Sequence, residues 1–255
     1  MSNHRYSPSW IAVALAVFLA DVLFHLPVTD VFDELATRFG FFAYDRATRH
    51  VFVALGAAGL SAAWLWPSGR RLTIGTATAV LVMMAALAQA FIVVASIENI
   101  HYPQYALLMI LLALGLPRLD IAWLGAVALG AADEFYQAVA LPRGTPGYFD
   151  WNDVVLNGIG ATFGLVILLA VARSKPSHGP VDAKIRYGLP AILLGLALVL
   201  FAPAWPPFYD VTPGGRLFYR LSGFEGMLGL TVLWWGGCYL LSRPSGFPDP
   251  KRPRR

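Results

Sequence analysis

The chain has 255 residues, 57% of them hydrophobic and only 13% charged, with a mean hydropathy of +0.60, which excludes an ordinary soluble domain of this length. Cys238 is the only cysteine, so neither an intramolecular disulfide nor a thiolate metal cluster is available. The net charge of +4 sits in short polar connections and at the C-terminal end; membrane topology accounts for that distribution, and nucleic acid is not expected as a partner.

A membrane helix needs roughly 17–25 apolar residues, and the Ala/Leu/Gly texture of the apolar runs predicts an all-α, polytopic transmembrane helical bundle of about eight membrane helices. The first covers 10–26 and carries Asp21 and His25, too long and too polar for a removable signal peptide. Across 28–50, Val31, Phe32, Leu35, Phe39 and Phe42 recur at three- and four-residue spacing against Asp33, Glu34, Thr37 and Arg38. That pattern predicts an amphipathic helix lying in the membrane interface. Further helices are expected over 51–66, 72–97, 103–116, 121–141, 151–172, 187–204 and 221–241. Pro103 suits a first helical turn, and Trp205-Pro206-Pro207 breaks the chain before the last helix. The expected organisation is 1–71 for two N-terminal membrane helices with the interfacial segment, 72–172 for a membrane core, and 173–255 for two C-terminal helices with a basic tail.

Eight crossings place both termini on one side. Of the 19 Lys and Arg, six (Arg38, Arg46, Arg49, Arg143, Arg216 and Arg220) fall on the opposite side, leaving 13 with the termini. The positive-inside rule then predicts cytoplasmic termini. With that orientation the polar residues within apolar runs lie toward the exoplasmic face, among them Asp21, His25, Gln89, Glu98 and His101.

The densest group surrounds the connection between the helices expected at 121–141 and 151–172. It reads Asp133, Glu134 and Gln137, then Arg143, then Asp150, Asp153 and Asn157, with Gly160 and Gly164 continuing the last stripe. Two adjacent carboxylates in an apolar run cost on the order of 2.5–3.5 kcal/mol each at mid-bilayer depth, so they imply partners or a wet cavity. Gly160 and Gly164 predict close approach to a neighbouring helix, with 121–141 the expected partner. Arg143 is the expected cation for the acids by bidentate pairing; a buried structural ion pair of Arg143 with Asp133 and Glu134 is the plain alternative. No HExxH-like spacing is present, and neither a metal nor a cofactor is expected.

Two blocks resemble the VanZ-like family. One is Glu98-Asn99-Ile100-His101-Tyr102-Pro103-Gln104-Tyr105-Ala106-Leu107-Leu108, similar to that family's acidic-His-x-x-x-Tyr pattern, from which Asn99, Tyr102 and Pro103 depart. The other is the Asp-Glu-x-x-Gln, Arg, Asp-x-x-x-Asn-x-x-Gly series from Asp133 to Gly160. The family takes its name from a protein associated with low-level resistance to the glycopeptide teicoplanin. The resemblance implies a bacterial inner-membrane protein with a cell-envelope role, and adds Glu98, His101 and Tyr105 to the site residues.

Three functions are expected in turn. The first is binding of a membrane lipid, a lipid-linked envelope intermediate or a lipoglycopeptide by Asp133, Glu134, Gln137, Arg143, Asp150, Asp153, Asn157, His101, Tyr105 and Glu98. The second is a membrane hydrolase or transferase with Glu134 or Asp133 as general acid and His101 as base. The third is a proton-coupled transporter with Asp133 and Glu134 as the relay. The oligomeric state is left open.

Overall fold

The computed structural model describes residues 7–65, 71–140, 149–171, 208–211 and 217–242. Its elements in chain order are α1 (Pro8–Phe39), α2 (Phe41–Leu65), α3 (Arg71–Phe91), a 3-10 turn (Ser96–Ile100), α4 (His101–Gly115), α5 (Leu119–Ala140), α6 (Trp151–Val171), β1 (Phe208–Val211), β2 (Leu217–Arg220) and α7 (Gly223–Ser242). The two short strands form an antiparallel hairpin, with Phe208 opposite Arg220 and Val211 opposite Leu217. The fold is otherwise helical, as the composition predicts.

Among the described residues, three helices are long and apolar enough to cross a membrane: α1, the stretch Leu72–Phe91 of α3, and α6. Those expected over 51–66, 103–116, 121–141 and 221–241 form helices but do not reach that length and apolarity, α4 having only 15 residues. The helix expected over 187–204 lies outside the described residues.

The first 65 residues differ from expectation. No separate interfacial helix exists between 28 and 50: Val28 to Phe39 continue α1, and Phe41 to His50 open α2. The break falls at Gly40, whose φ of 83° lies in the left-handed region that side chains avoid. Pro27 does not end α1. A proline leaves one carbonyl unpaired, but a membrane helix tolerates this where hydroxyl side chains support the neighbouring turn, and Thr29 Oγ1 donates to the His25 carbonyl at 2.8 Å. At about 1.5 Å per residue, the 32 residues of α1 extend roughly 48 Å, well beyond a bilayer core of about 30 Å.

Helix α6 is the axis of the molecule, buried along nearly its whole length by α3, α4, α5 and α7. Its glycines explain the closest of these contacts. A Cβ at Gly160 would stand 2.8 Å from the carbonyl oxygens of His101 and Tyr102, and one at Gly164 would stand 2.5 Å from that of Ala106. The small-residue stripe therefore seats α4, correcting the expectation that it faces α5. Helix α5 is met instead through Trp123, whose indole N–H donates to Thr162 Oγ1 at 3.0 Å, and through Gly130 against Asn157. Trp234 is packed inside against Trp123 with ring centroids 5.4 Å apart.

Candidate binding site at the polar end of the bundle

Contact pairs along the helices fix their directions. Gly160 and Gly164 of α6 meet Tyr102 and Ala106 of α4, so these two run parallel, as do α6 and α7 through the pairs Trp151–Gly226 and Leu165–Gly237. Helix α5 is antiparallel to α6, with Gly130 at Asn157 and Trp123 at Thr162. Helix α1 is antiparallel to α4, with Ile11 at Gly115 and Asp21 at Gln104. The starts of α4 and α6 and the end of α5 thus meet at one end of the bundle, bringing together His101, Tyr105, Asp133, Glu134, Gln137, Asp153 and Asn157. Away from this end, Arg118 pairs with Asp120 at the opposite start of α5.

Within the cluster the side chains are buried yet unsatisfied. Asn157 is 0% exposed, and neither its Nδ2 nor its Oδ1 has a hydrogen-bond partner. Asp133 Oδ1, Glu134 Oε1, Tyr105 Oη, His101 Nδ1 and Gln137 Nε2 are likewise buried without a partner. His101 lies near Asn157, and Gln137 and Tyr105 lie near Asp133, but none of these approaches closes a bond of proper length and angle. Leaving such groups unpaired costs about 1–3 kcal/mol each, which is why folded proteins seldom gather several in one place. His101 Nε2 stands 3.8 Å from Asp153 Oδ2, and the His101 ring is 6.2 Å from that of Tyr105 at 27°. The charges acting on Glu134 are those of Asp153, Asp150, Asp133 and Glu98. Gly130 makes room for the group, since a Cβ there would lie 2.9 Å from both Asn157 Nδ2 and the Tyr105 ring.

Not every expected residue belongs to this unpartnered group. Asp150 caps α6: its Oδ1 accepts the Asn152 N–H at 2.9 Å. Glu98 accepts the amides of Val94 at 2.8 Å and Ala95 at 3.1 Å, tying the link from α3 to α4. Burial, with the Asp153 charge nearby, pushes the Glu98 carboxyl well above the usual carboxylate range despite those two amides. Gln89 accepts from the Asn99 amide. Glu225 takes the Tyr219 hydroxyl at 2.6 Å and the Ser222 hydroxyl at 2.8 Å, closing the first turn of α7. Arg143 lies outside the described residues.

Three residues not singled out for the site in the sequence matter here. Gln104 donates to Asp21 Oδ1 at 2.7 Å and lines, with Tyr105, Val17 and Leu108, a cavity of about 210 Å³ between α1 and α4. Its signal was its position three residues after His101, one turn along the same face. Tyr102 stands where the cluster meets an apolar groove of about 430 Å³ lined by Gly56, Gly59, Ala106, Phe163 and Val166 among others. Its hydroxyl is buried without a partner, and the charges of Glu98 and Asp153 act on it. Asn152, 2% exposed, donates to the carbonyls of Ile92 at 2.9 Å and Tyr219 at 3.0 Å and accepts the Leu221 N–H at 2.9 Å. No local pattern marks it, because all three partners lie about 60 residues or more away in sequence.

No family model, curated protein or solved structure matches this chain. A functional reading therefore rests on the geometry of the site.

Proposed function

We propose that the protein is a VanZ-like binding protein of the bacterial inner membrane. In this reading it crosses the bilayer about eight times with cytoplasmic termini, and its polar end opens to the exoplasmic side. There it holds the head of a cell-envelope lipid intermediate or lipoglycopeptide, and so contributes to glycopeptide resistance of the teicoplanin type. One observation carries the reading: hydrogen-bonding atoms of α4, α5 and α6 converge around Asn157, buried and unpartnered. A ligand's polar head supplies the missing partners. Tyr102 connects this cluster to the apolar groove between α2 and α6, so an amphiphile has a place for its chain beside a place for its head. Arg143, beyond the described residues, is assigned to an anionic part of the head.

The test is retention of tail-labelled lipids and lipoglycopeptide by the purified full chain in nanodiscs. Binding that falls with Asp153→Ala and with Arg143→Ala is the expected result; binding that neither substitution changes sinks the proposal.

A second reading, a membrane hydrolase or transferase, draws on the approach of His101 to Asp153 beside Glu134. Turnover of lipid-linked substrates in proteoliposomes, lost in Glu134→Gln, would favour it; no turnover across a broad substrate panel discards it. The transporter reading is weaker, because the half of α6 from Gly160 onward is almost wholly apolar and offers no inner relay.

A further inference from the structure

The unpartnered atoms of the cluster say more about the ligand than that it is polar. Asn157 is wholly enclosed, and both ends of its amide face the cluster without a bond. At the same end of the bundle, on α5, Asp133 and Glu134 each present a buried carboxyl oxygen that no donor satisfies. Asp153 is approached by His101 at 3.8 Å, beyond hydrogen-bond length, and the charges that act on it come from Asp150 and Asp133. Three carboxyl groups thus share a low-dielectric space with Asp150 and Glu98 as further carboxyl neighbours, while the imidazoles of His25 and His101 face Asp133; a buried carboxylate is stable only beside a compensating charge.

We infer that the ligand group reaching the floor of this site is a protonated primary amine on a membrane amphiphile, an inference that rests on the lipid-binding reading. A primary ammonium brings three N–H donors, no acceptor and one positive charge. That matches open carboxyl oxygens on Asp133 and Glu134, with the Asn157 carbonyl as a third acceptor. A phosphate placed there instead meets like charge from all three acids. A neutral polyol supplies donors without the charge. A bare divalent cation needs several carboxylate or imidazole ligands converging on one point, and among the described residues no such group of three exists. A quaternary ammonium has the charge but no N–H to give to the open oxygens.

This distinction sets the experiment. The full chain is reconstituted in phosphatidylcholine nanodiscs and titrated with one tail-labelled phospholipid whose head is ethanolamine, N-methylethanolamine, N,N-dimethylethanolamine or choline, so that phosphate and chains stay constant while N–H donors are removed one at a time. Stepwise weakening along the series, reaching about tenfold from ethanolamine to choline, is the expected result. Glu134→Gln is expected to flatten the series, with its fold checked by circular dichroism; should that variant not fold, the series on the unaltered protein decides alone. Equal binding of all four heads overturns the ammonium assignment and leaves the lipid-binding reading standing. Tighter binding of phosphatidylglycerol or of a diglucosyl diacylglycerol overturns it in favour of an anionic or a polyol head. Failure to retain any of these lipids, or lipoglycopeptide, above an unrelated helical membrane protein overturns both.

Discussion

Two asparagines five residues apart on α6 are both buried, yet the molecule treats them in opposite ways. Asn152 makes three side-chain hydrogen bonds to the backbone: to the end of α3 through Ile92, the hairpin through Tyr219, and the approach to α7 through Leu221. Asn157 makes none. The same side chain on the same helix is a joint in one place and an open valence in the other. A buried amide is thus not by itself a sign of function; its partners decide.

Substitutions can break this contrast, and the largest effect is expected at the joint. Asn152→Leu leaves one buried and one half-buried carbonyl and a half-buried amide without their partner, and is expected to lower stability by about 3 kcal/mol. Unfolding of the purified protein in detergent measures it, and a loss under about 1 kcal/mol would show that water or rearrangement replaces all three bonds.

Next in size comes the seat of α4. Gly164→Ala drives a Cβ onto the Ala106 backbone, at 2.5 Å from its oxygen and 3.0 Å from its Cα. Backbone cannot swing aside as a side chain can, so a loss of about 1–3 kcal/mol is expected. Gly59→Ala is the control: nothing lies within 4 Å of the added methyl, and better helix propensity predicts a gain approaching about 1 kcal/mol. Equal responses at the two glycines would remove the argument that α4 sits on α6 by close approach.

Asn157→Leu is expected to change stability by less than about 1 kcal/mol in either direction, because the amide it removes has no bonds to lose. Lipid retention should nevertheless fall. A stability loss matching that of Asn152→Leu would mean that Asn157 is held by contacts within the protein and is not open to a ligand.

The smallest effect concerns pH. Glu98 lies in the turn between α3 and α4, and its carboxyl is raised by burial, then by Asp153, against the pull of the Val94 and Ala95 amides. For an acid whose folded value lies above the ordinary 4.5, the contribution to stability is fully present below that ordinary value and is lost as pH rises through the raised one. Glu98→Gln is expected to flatten the fall in stability over that interval. An unchanged pH profile would assign the slope to other acids of the cluster.

Much of the molecule is legible in local pattern. The apolar runs predict α3 through α7 to within a few residues at most ends, the adjacent Asp133 and Glu134 announce a buried polar cluster, and Asp153 and Asn157 fall on one stripe by their spacing of four. Glu98 and His101 lie at the same end as those acids, and Glu98 and Asp150 also accept backbone amides. The first 65 residues are read less well. The first helix is expected to end at 26 but runs through Pro27 to Phe39, and Gly40 is the actual break because its backbone takes a conformation other residues avoid.

The chain alone determines what each segment is: helix by its apolar period, long and apolar enough to cross a membrane in α1, α3 and α6, and polar at one end by where its acids and amides fall. Tertiary structure alone decides which surfaces meet, seating the Gly160–Gly164 stripe on α4 rather than α5, making Asn152 a joint and leaving Asn157 open. The reason is that hydropathy and period depend on neighbours within a turn or two, whereas a helix contact or a buried hydrogen bond depends on residues that sequence separates by tens of positions and packing brings to within 3 Å.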